Sequence, residues 1–470
     1  MHAIVWFRND LRLADNPALQ AALRAGLAPI PVYIHAPEEE GDWRPGAASN
    51  TWRARSLGAL DADLRRIGSR LNVLPGPTLA TLETIIAATA AEAVFWNRRY
   101  EPAIEARDAT IKRALRGRGL RVESHNGSLL FEPWQVETKT GDPYRVFTPF
   151  WRTALSQWRL PATFPAPDAL PAVAELPGAV SIESLGLAPR LPWDSGFWQT
   201  WVPGEQGAHQ ALRRFREQAL QHYALARDRP DQIGTSRLSP HLHFGEVSVW
   251  QAVRAIDEVA SVDRDTFVRE LGWREFAHHV MHHFPETPER NFNPRFDDFP
   301  WASVPTADLE AWQRGFTGIP IVDAGMRELW HRGWMHNRVR MIVASFLTKN
   351  LRAHWQHGAR WFWDTLVDAD LASNSLGWQW VAGTGVDAAP FVRVFNPVLQ
   401  ARKFDPSGAY IAHWVPELRG LPVELRHEPW LQPELIRRHA AGYPQRPIVE
   451  LSTSRQAALA AFAQMRAGRG

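Results

Sequence analysis

"AIVWFRNDLRLADNPALQAALRAGLAPIPVYIHA", residues 3–36, holds the pattern on which the fold turns. An apolar run (3–7) rich in β-formers leads through a polar turn into a helical stretch opening at Asn16 and Pro17, and a second apolar run follows (29–36). Pro17 suits a first helical turn, where its missing N–H would have had no intrahelical partner. Strands joined by a crossover of helix length pair in parallel, not as a hairpin. The unit repeats: "LNVLP" (71–75), "EAVFW" (92–96) and "LRVES" (120–124) alternate with helical patterns over 47–68, 78–90 and 101–118. Strand and helix alternating at this spacing imply an α/β doubly wound parallel sheet.

Beyond it the pattern changes twice. From 131 to 200 periodicity fades and proline recurs ("LPATFPAPDALPAVAELPG"), the signature of a long connector lying over the surface. From 201 to 470 the apolar spacing is helical throughout, as in "VSVWQAVRAIDEV" (247–259) and "TFVRELGWREFAHHVMHHF" (266–284). The expected organisation is an α/β domain over 1–130, a connector over 131–200 and a larger all-α domain over 201–470. Neither G-x-G-x-x-G nor G-x-x-x-x-G-K-[ST] occurs, so no dinucleotide fingerprint or P-loop supports a dehydrogenase or an ATPase.

The 470 residues are 45% hydrophobic and 22% charged, values of a soluble globular chain. Mean hydropathy is -0.31 and no apolar run reaches the roughly 18 residues of a membrane helix. The N-terminus lacks the charged and apolar regions of a signal peptide, which leads us to expect a cytoplasmic protein. Without cysteine there is no disulfide framework, cysteine-ligated zinc or iron–sulfur cluster. A formal charge of +3 and an isoelectric point near 9.4 permit a polyanionic partner without requiring one. The anomaly is tryptophan: 23 beside 6 tyrosines, more indole than core packing recruits.

Four stretches of the helical part mix polar and aromatic residues unusually. In "DADLASNSLGWQW" (368–380), read as helix, Asp370, Asn374 and Trp378 share one face. Asp368 and Asp370 need partners if buried, and Arg340 is a natural one. In "GTSRLSPHLHFG" (234–245), Thr235, Ser236 and Ser239 gather at a helix start, which suits either a phosphate or a plain N-cap. In "RELGWREF" (269–276), Glu270 and Arg274 stand at i, i+4 beside Trp273, as an ion pair or as a base-stacking site. In "GWMHNRVRM" (333–341), Asn337 and Met341 share a face, as core or as a pocket floor. His278, His279, His282 and His283 lack a carboxylate signature such as H-E-x-x-H, so no metal site is expected.

Together these stretches resemble the photolyase/cryptochrome family. "IVWFRNDLRLADNPAL", "TSRLSP", "WREF", "TGIPIVDAGMREL", "GWMHNRVRM" and "DADLASNSLGWQW" with "DAAPF" follow in the family's order and spacing over nearly the whole chain. "APEEEGDWRPGAAS" and "DFPW" resemble its bacterial branch nearest the plant-type cryptochromes.

The resemblance implies FAD in the helical domain. It assigns Tyr223, Thr235, Ser236, Arg237, Leu238 and Ser239 to the phosphates and ribityl chain. Phe267, Glu270, Arg274, Asn337, Arg340, Asp368 and Asp370 are assigned to the flavin and adenine region, and Asn374 to the flavin N5 edge. It makes Trp378, Trp355 and Trp301 a photoreduction chain, with Trp312 as rival for the outermost place because of a local insertion. UV-damaged DNA is the implied partner, its dimer flipped from the duplex and clamped by Trp273 and Trp380. Glu270, Asn337 and Met341 would meet the bases, and Arg227, Arg338 and Arg393 the phosphates. Enzymes for (6-4) photoproducts carry histidines where Asn337 and Met341 stand (His336 is only adjacent), so a cyclobutane dimer is the expected substrate. A 5,10-methenyltetrahydrofolate antenna is implied too, with Trp43 and Glu101 as contacts; a glutamate at a helix start is equally a dipole partner. The expectation is a monomeric bacterial enzyme that repairs dimers in light and works at the nucleoid. Two rivals are a blue-light photoreceptor cryptochrome and a dark flavin- or nucleotide-binding protein. Asn374, where plant photoreceptors usually carry Asp, and a chain ending soon after "RQAALAAFAQM" count against the photoreceptor.

Overall fold

The computed structural model describes residues 1–257 and 261–467. The last two residues of the 247–259 helical pattern and the final three of the chain lie outside the described residues.

Five strands form one parallel sheet: β1 (His2–Phe7), β2 (Ala28–His35), β3 (Asn72–Pro75), β4 (Ala93–Asn97) and β5 (Arg121–His125), in the order β3-β2-β1-β4-β5. Each lies within a residue of its expected place. Helices α1 (Pro17–Arg24), α2 (Ala47–Arg66), α3 (Thr78–Thr89) and α4 (Pro102–Gly117) are the crossovers. Asn16 caps α1 by accepting the Leu19 N–H, and Pro17 takes the first turn. Register is direct, with Ile4 opposite Ile30 on one side and Val94 on the other. Both sheet faces are covered, so the strands are apolar runs, not alternations; Trp6 and Trp96 meet edge to face at 5.6 Å in that core.

Strand order reverses between β1 and β4, the topological switch point. Polar residues of the N-terminal signature meet there. The Asn97 amide donates to Asp10 and Asn16, and Arg8 donates to the Asn97 carbonyl and to Asp108. Arg12, 1% exposed, spends its guanidinium on the carbonyls of Asp15, Gly127 and Gly245. Gly245 has φ +62°, and a Cβ there would stand 2.3 Å from the Asn9 carbonyl oxygen. The signature is therefore architectural: it crosslinks loops of the first compact unit.

The 131–200 segment departs from the expected connector. It contains helix α5 (Phe147–Ser156), which buries Phe147, Phe150, Trp151 and Ala154. Gly272 admits Trp151 so closely that a Cβ would lie 2.7 Å from the ring. The prolines hid a short helix whose core face is aromatic.

The chain forms two compact units that do not follow chain order: 1–221 with 236–285 and 367–371, and 222–235 with 286–366 and 372–470. The first holds the sheet and the long helix Val262–His283. The second is helical and includes Pro320–Arg332, Asn337–Ser345, Trp355–Thr365 and Leu451–Ala467. No described helix is long and apolar enough to cross a membrane.

Candidate functional site

Asp370 precedes the helix Leu371–Ala382, so the expected three-residue row holds only for Asn374 and Trp378. Asp370 instead faces His278 of the helix Val262–His283, with Nε2 and Oδ2 3.4 Å apart. Burial alone would raise the Asp370 carboxyl, yet His278 and Arg274 hold it well below the usual range. Burial would lower His278, and Asp370 raises it instead. The first unit thus keeps a half-buried carboxylate, its side chain 20% exposed, in the ionised form. Asp368, three residues before the helix, is the more deeply buried of the two carboxylates.

Glu270 and Arg274 share a face of Val262–His283, and Arg274 reaches the Ser128 carbonyl at 2.8 Å and Glu275 at 3.3 Å. Trp273 is half-buried and stacks one face on Phe147, ring centroids 3.8 Å apart and planes 10° apart. Phe267 is buried against Phe215 at 4.6 Å. In "TSRLS", Leu238 is the residue before the short helix Ser239–His243 and no side chain caps it. The Ser236 hydroxyl accepts the Leu238 N–H at 3.4 Å, and Arg237 adopts φ +53°, a left-handed conformation costing roughly 1 kcal/mol for a non-glycine residue. The N-cap alternative is not what the loop does.

In the second unit Asn374 donates to the Ala359 carbonyl at 3.0 Å, tying its amide to the helix Trp355–Thr365. Trp378, 3% exposed, lies in a notch at Gly358 of that helix. A Cβ on Gly358 would be 2.0 Å from the indole. Trp355 is three residues earlier, one turn away on the same face, fully buried, and donates to Asn291 at 2.9 Å. Trp301 adjoins His354 at 5.1 Å, and His354 adjoins Trp355 at 5.5 Å. Trp312 is edge-on to Trp378 at 6.2 Å, but it is 1% exposed and donates to the Val343 carbonyl. Gly358→Ala is expected to push Trp378 from its notch and to cost about 1–3 kcal/mol of stability, the scale of overpacking. Urea unfolding checks this, and an unchanged midpoint would contradict the notch.

Asn337 opens the helix Asn337–Ser345 and is exposed, with Met341 one turn on. His336 accepts the Arg338 N–H as its cap. Arg338 was expected at a phosphate; it forms a two-point ion pair with Asp228, at 2.9 and 3.3 Å, and a third contact at the Met341 sulfur. Arg340 donates to the Met335 carbonyl at 2.7 Å. Arg393 is exposed, Arg227 lies 5.9 Å over the Tyr223 ring, Tyr223 is buried, Trp380 is half-buried, and Thr235 stands in the loop before Ser236.

Two residues that the sequence reading passed over hold the end of the Trp378 helix. Gln379 donates to the Thr287 and Arg290 carbonyls and accepts from Phe292 N–H and the Thr384 hydroxyl. Lys349, fully buried, donates to the carbonyls of Ala382 at 2.9 Å and Phe391 at 3.2 Å and lies 3.5 Å over the Phe391 ring. A cation suits a helix C-terminus, but burial pushes its pKa down to about 7. The unfolded chain therefore binds a proton that the folded one has released between about pH 7 and about pH 10, so this group makes stability rise with pH there. Relative to Lys349→Met, the wild-type melting temperature is expected to gain as pH climbs through that window. A constant difference between the two would refute the assignment.

Each of the four clustered histidines has a partner: Asp370 for His278, the Pro133 carbonyl and Tyr144 N–H for His279, Glu105 for His282, and the Pro133 carbonyl for His283. No group of metal-ligating side chains occurs among the described residues. In the α/β part Trp43 is buried, and Glu101 pairs with Arg99 at 2.7 Å, which also holds Glu40 at 2.9 Å. Burial alone would raise Glu40; Arg99 and Arg53 draw it down to about 2. Glu101 is thus engaged by a guanidinium and makes no side-chain cap to α4.

A five-stranded parallel sheet together with a mostly helical remainder defines an α/β-plus-helical class of chain. Residues 3–171 match the family model described as DNA photolyase, and 267–464 the one described as the FAD binding domain of DNA photolyase. The chain belongs to the DNA photolyase/cryptochrome family. It is 46% identical to a deoxyribodipyrimidine photo-lyase of Agrobacterium fabrum over 98% of both chains. Cryptochrome-2 of Arabidopsis thaliana is 40% identical over 98% of this chain and 79% of its own. The crystal structure of a class III photolyase from Agrobacterium tumefaciens superposes with a TM-score of 0.94 at 46% identity, covering 99% of this chain and 98% of that one. A Synechocystis cryptochrome gives 0.87 at 30% identity, covering 97% and 98%.

Proposed function

We propose that this protein is a light-driven cyclobutane pyrimidine dimer photo-lyase that acts on UV-damaged DNA through FAD. The observation that carries the reading is the likeness, at 46% identity and end to end, to a deoxyribodipyrimidine photo-lyase. The residues present fit the cofactor: an ionised, desolvated Asp370 can accept hydrogen bonds from ring N–H groups, and the left-handed turn at Arg237 resembles loops that offer backbone N–H groups to phosphates. Tyr223, Thr235, Ser236, Leu238, Ser239, Phe267, Glu270, Arg274, Asn337, Arg340, Asp368 and Asn374 complete the set this reading assigns to FAD. When bound and reduced, FAD supplies the photoexcited electron that opens the cyclobutane ring.

The chain's own residues bind, orient and conduct. Trp273 offers the ring face that Phe147 leaves uncovered, and Trp380 is its partner in the clamp. Asn337, Met341 and Glu270 meet the bases. Arg227 and Arg393 attract phosphates, a salt-dependent contribution. Arg338 serves less directly, since Asp228 already occupies its fork. Trp301, Trp355 and Trp378 carry electrons inward one at a time, and Trp301, only partly buried, is a better point of entry than the sealed Trp312. Trp43 and Glu101 are the proposed contacts of a methenyltetrahydrofolate antenna. The reading takes the protein to be a cytoplasmic monomer.

Trp273→Ala is expected to weaken binding of dimer-containing DNA by about 1–3 kcal/mol, the scale of one stacked base. Dark fluorescence-anisotropy titration measures it, and unchanged affinity would remove Trp273 from the clamp. The photoreceptor alternative keeps one point in its favour, the 40% identity to a plant cryptochrome. Illumination of the reduced protein with dimer-containing oligonucleotide separates the two, because only the repair enzyme consumes dimers.

A further inference from the structure

The second compact unit contains a cavity of about 670 Å³ that none of these assignments uses. Its wall comes from the segment 394–402, the 428–430 turn, the 446–452 loop and the first turn of Leu451–Ala467. The volume is typical of small-molecule sites, which run from roughly 300 to 1,000 Å³.

The chemistry of the wall narrows the ligand. Arg402, Arg446 and Arg455 face it against two carboxylates, Glu428 and Glu450. Arg402 is paired with Glu428. Glu450 is spent on the N–H groups of Ser452 and Thr453 at the start of Leu451–Ala467, and these bonds draw its pKa down. Arg446 and Arg455 have no acidic or carbonyl partner among the described residues, so two guanidinium forks remain for an anion. Trp430 and Phe395 supply flat apolar rings in the same wall. Asn350, 6% exposed, donates its Nδ2 to the Ser454 hydroxyl at 2.8 Å, while its Oδ1 is buried without a donor. A buried acceptor left unmet costs about 1–3 kcal/mol, so the wall lacks one N–H or O–H.

A phosphate anion and a flat base whose edge carries hydrogen-bond donors, joined through a sugar, make up a nucleotide. We propose that this cavity is a nucleotide site: Arg446 and Arg455 take the phosphate, Trp430 and Phe395 pack on the base, and Asn350 Oδ1 accepts from the base edge. The ligand is either a free mononucleotide or the phosphorylated end of a DNA strand, which present the same groups. The site is separate from the residues assigned to FAD and to the dimer, and it does not rest on the repair reading.

Isothermal titration of the FAD-loaded protein with adenosine monophosphate tests it, since bound FAD fills its own adenine site. Saturable binding is expected, with inorganic phosphate at least tenfold weaker. The double substitution Arg446→Ala and Arg455→Ala, and separately Trp430→Leu, should each weaken binding at least tenfold while FAD absorbance and dark affinity for dimer-containing DNA stay at wild-type values. Displacement of the mononucleotide by a 5′-phosphorylated thymidine trimer, but not by its unphosphorylated form, assigns the strand end; failure of both to displace it assigns the free nucleotide. The proposal is overturned if no saturable binding occurs, if phosphate binds as tightly as the nucleotide, or if the arginine substitutions leave affinity unchanged. Because both arginines are exposed, their removal leaves the fold intact and a lost signal reads on the site.

Discussion

Trp378→Phe is expected to abolish light-driven reduction of bound oxidised FAD, while repair by chemically pre-reduced protein continues near the wild-type rate. Indole is the more readily oxidised ring, and phenylalanine keeps the shape but offers no electron. The geometry makes this substitution specific: Trp378 occupies the notch at Gly358, packs edge-on to Phe362 at 4.9 Å, and Gly358 is one helical turn from Trp355 on the helix Trp355–Thr365. Phenylalanine leaves part of the notch empty, a modest large-to-small change, so the protein should remain folded and flavin-loaded. Absorption spectra recorded during blue illumination with a thiol reductant decide it. Photoreduction at the wild-type rate would mean that electrons reach the site by another route, for which Trp312 is the nearest indole with a ring contact to Trp378.

The second large effect is expected from Asp370→Ala. It leaves His278, 8% exposed at its side chain, beside no carboxylate of its own, and breaking such a buried pair costs about 3 kcal/mol or more. FAD retention should fall with stability, because this carboxylate is also the proposed acceptor for the flavin ring. The sign of the pH dependence follows from the partner. Asp370 raises the His278 pKa above its unfolded value, so the pair's contribution is full below about pH 6.5 and declines as pH rises through the raised value. Urea unfolding of wild type and Asp370→Ala across that range checks it. A stability difference below about 1 kcal/mol at pH 6, or one that grows toward alkaline pH, would contradict the pairing.

What the sequence disclosed and what it hid divide along physical lines. The sheet was legible because parallel strands buried on both faces are continuous apolar runs, and the helices between them carry their own caps, as Asn16 and Pro17 show. Helix α5 was not, because Pro149 and a run of aromatics in "FTPFWRTALS" look like the proline-rich stretch around them. Asp370 read as a helical residue because nothing in "DADLAS" marks where the helix begins. Its partner His278 lies 92 positions away, a pairing that only tertiary structure can make, and in the sequence that histidine stood in a cluster to which no role was assigned. Lys349 was invisible for the same reason: a lone lysine in "FLTKN" reads as solvated, and its two carbonyl acceptors come from 33 and 42 residues further along. Family order and spacing carried the choice of Trp378, Trp355 and Trp301 as the proposed relay, which composition alone could not have picked out of 23 indoles.

The most direct test of the repair reading is the fate of a cyclobutane thymine dimer in an oligonucleotide mixed with the reduced, FAD-bound protein. Chromatography before and after blue illumination should show the dimer converted to two intact thymines in light and unchanged in the dark. If the dimer survives illumination although FAD is bound and reduced, the protein is not the photo-lyase proposed.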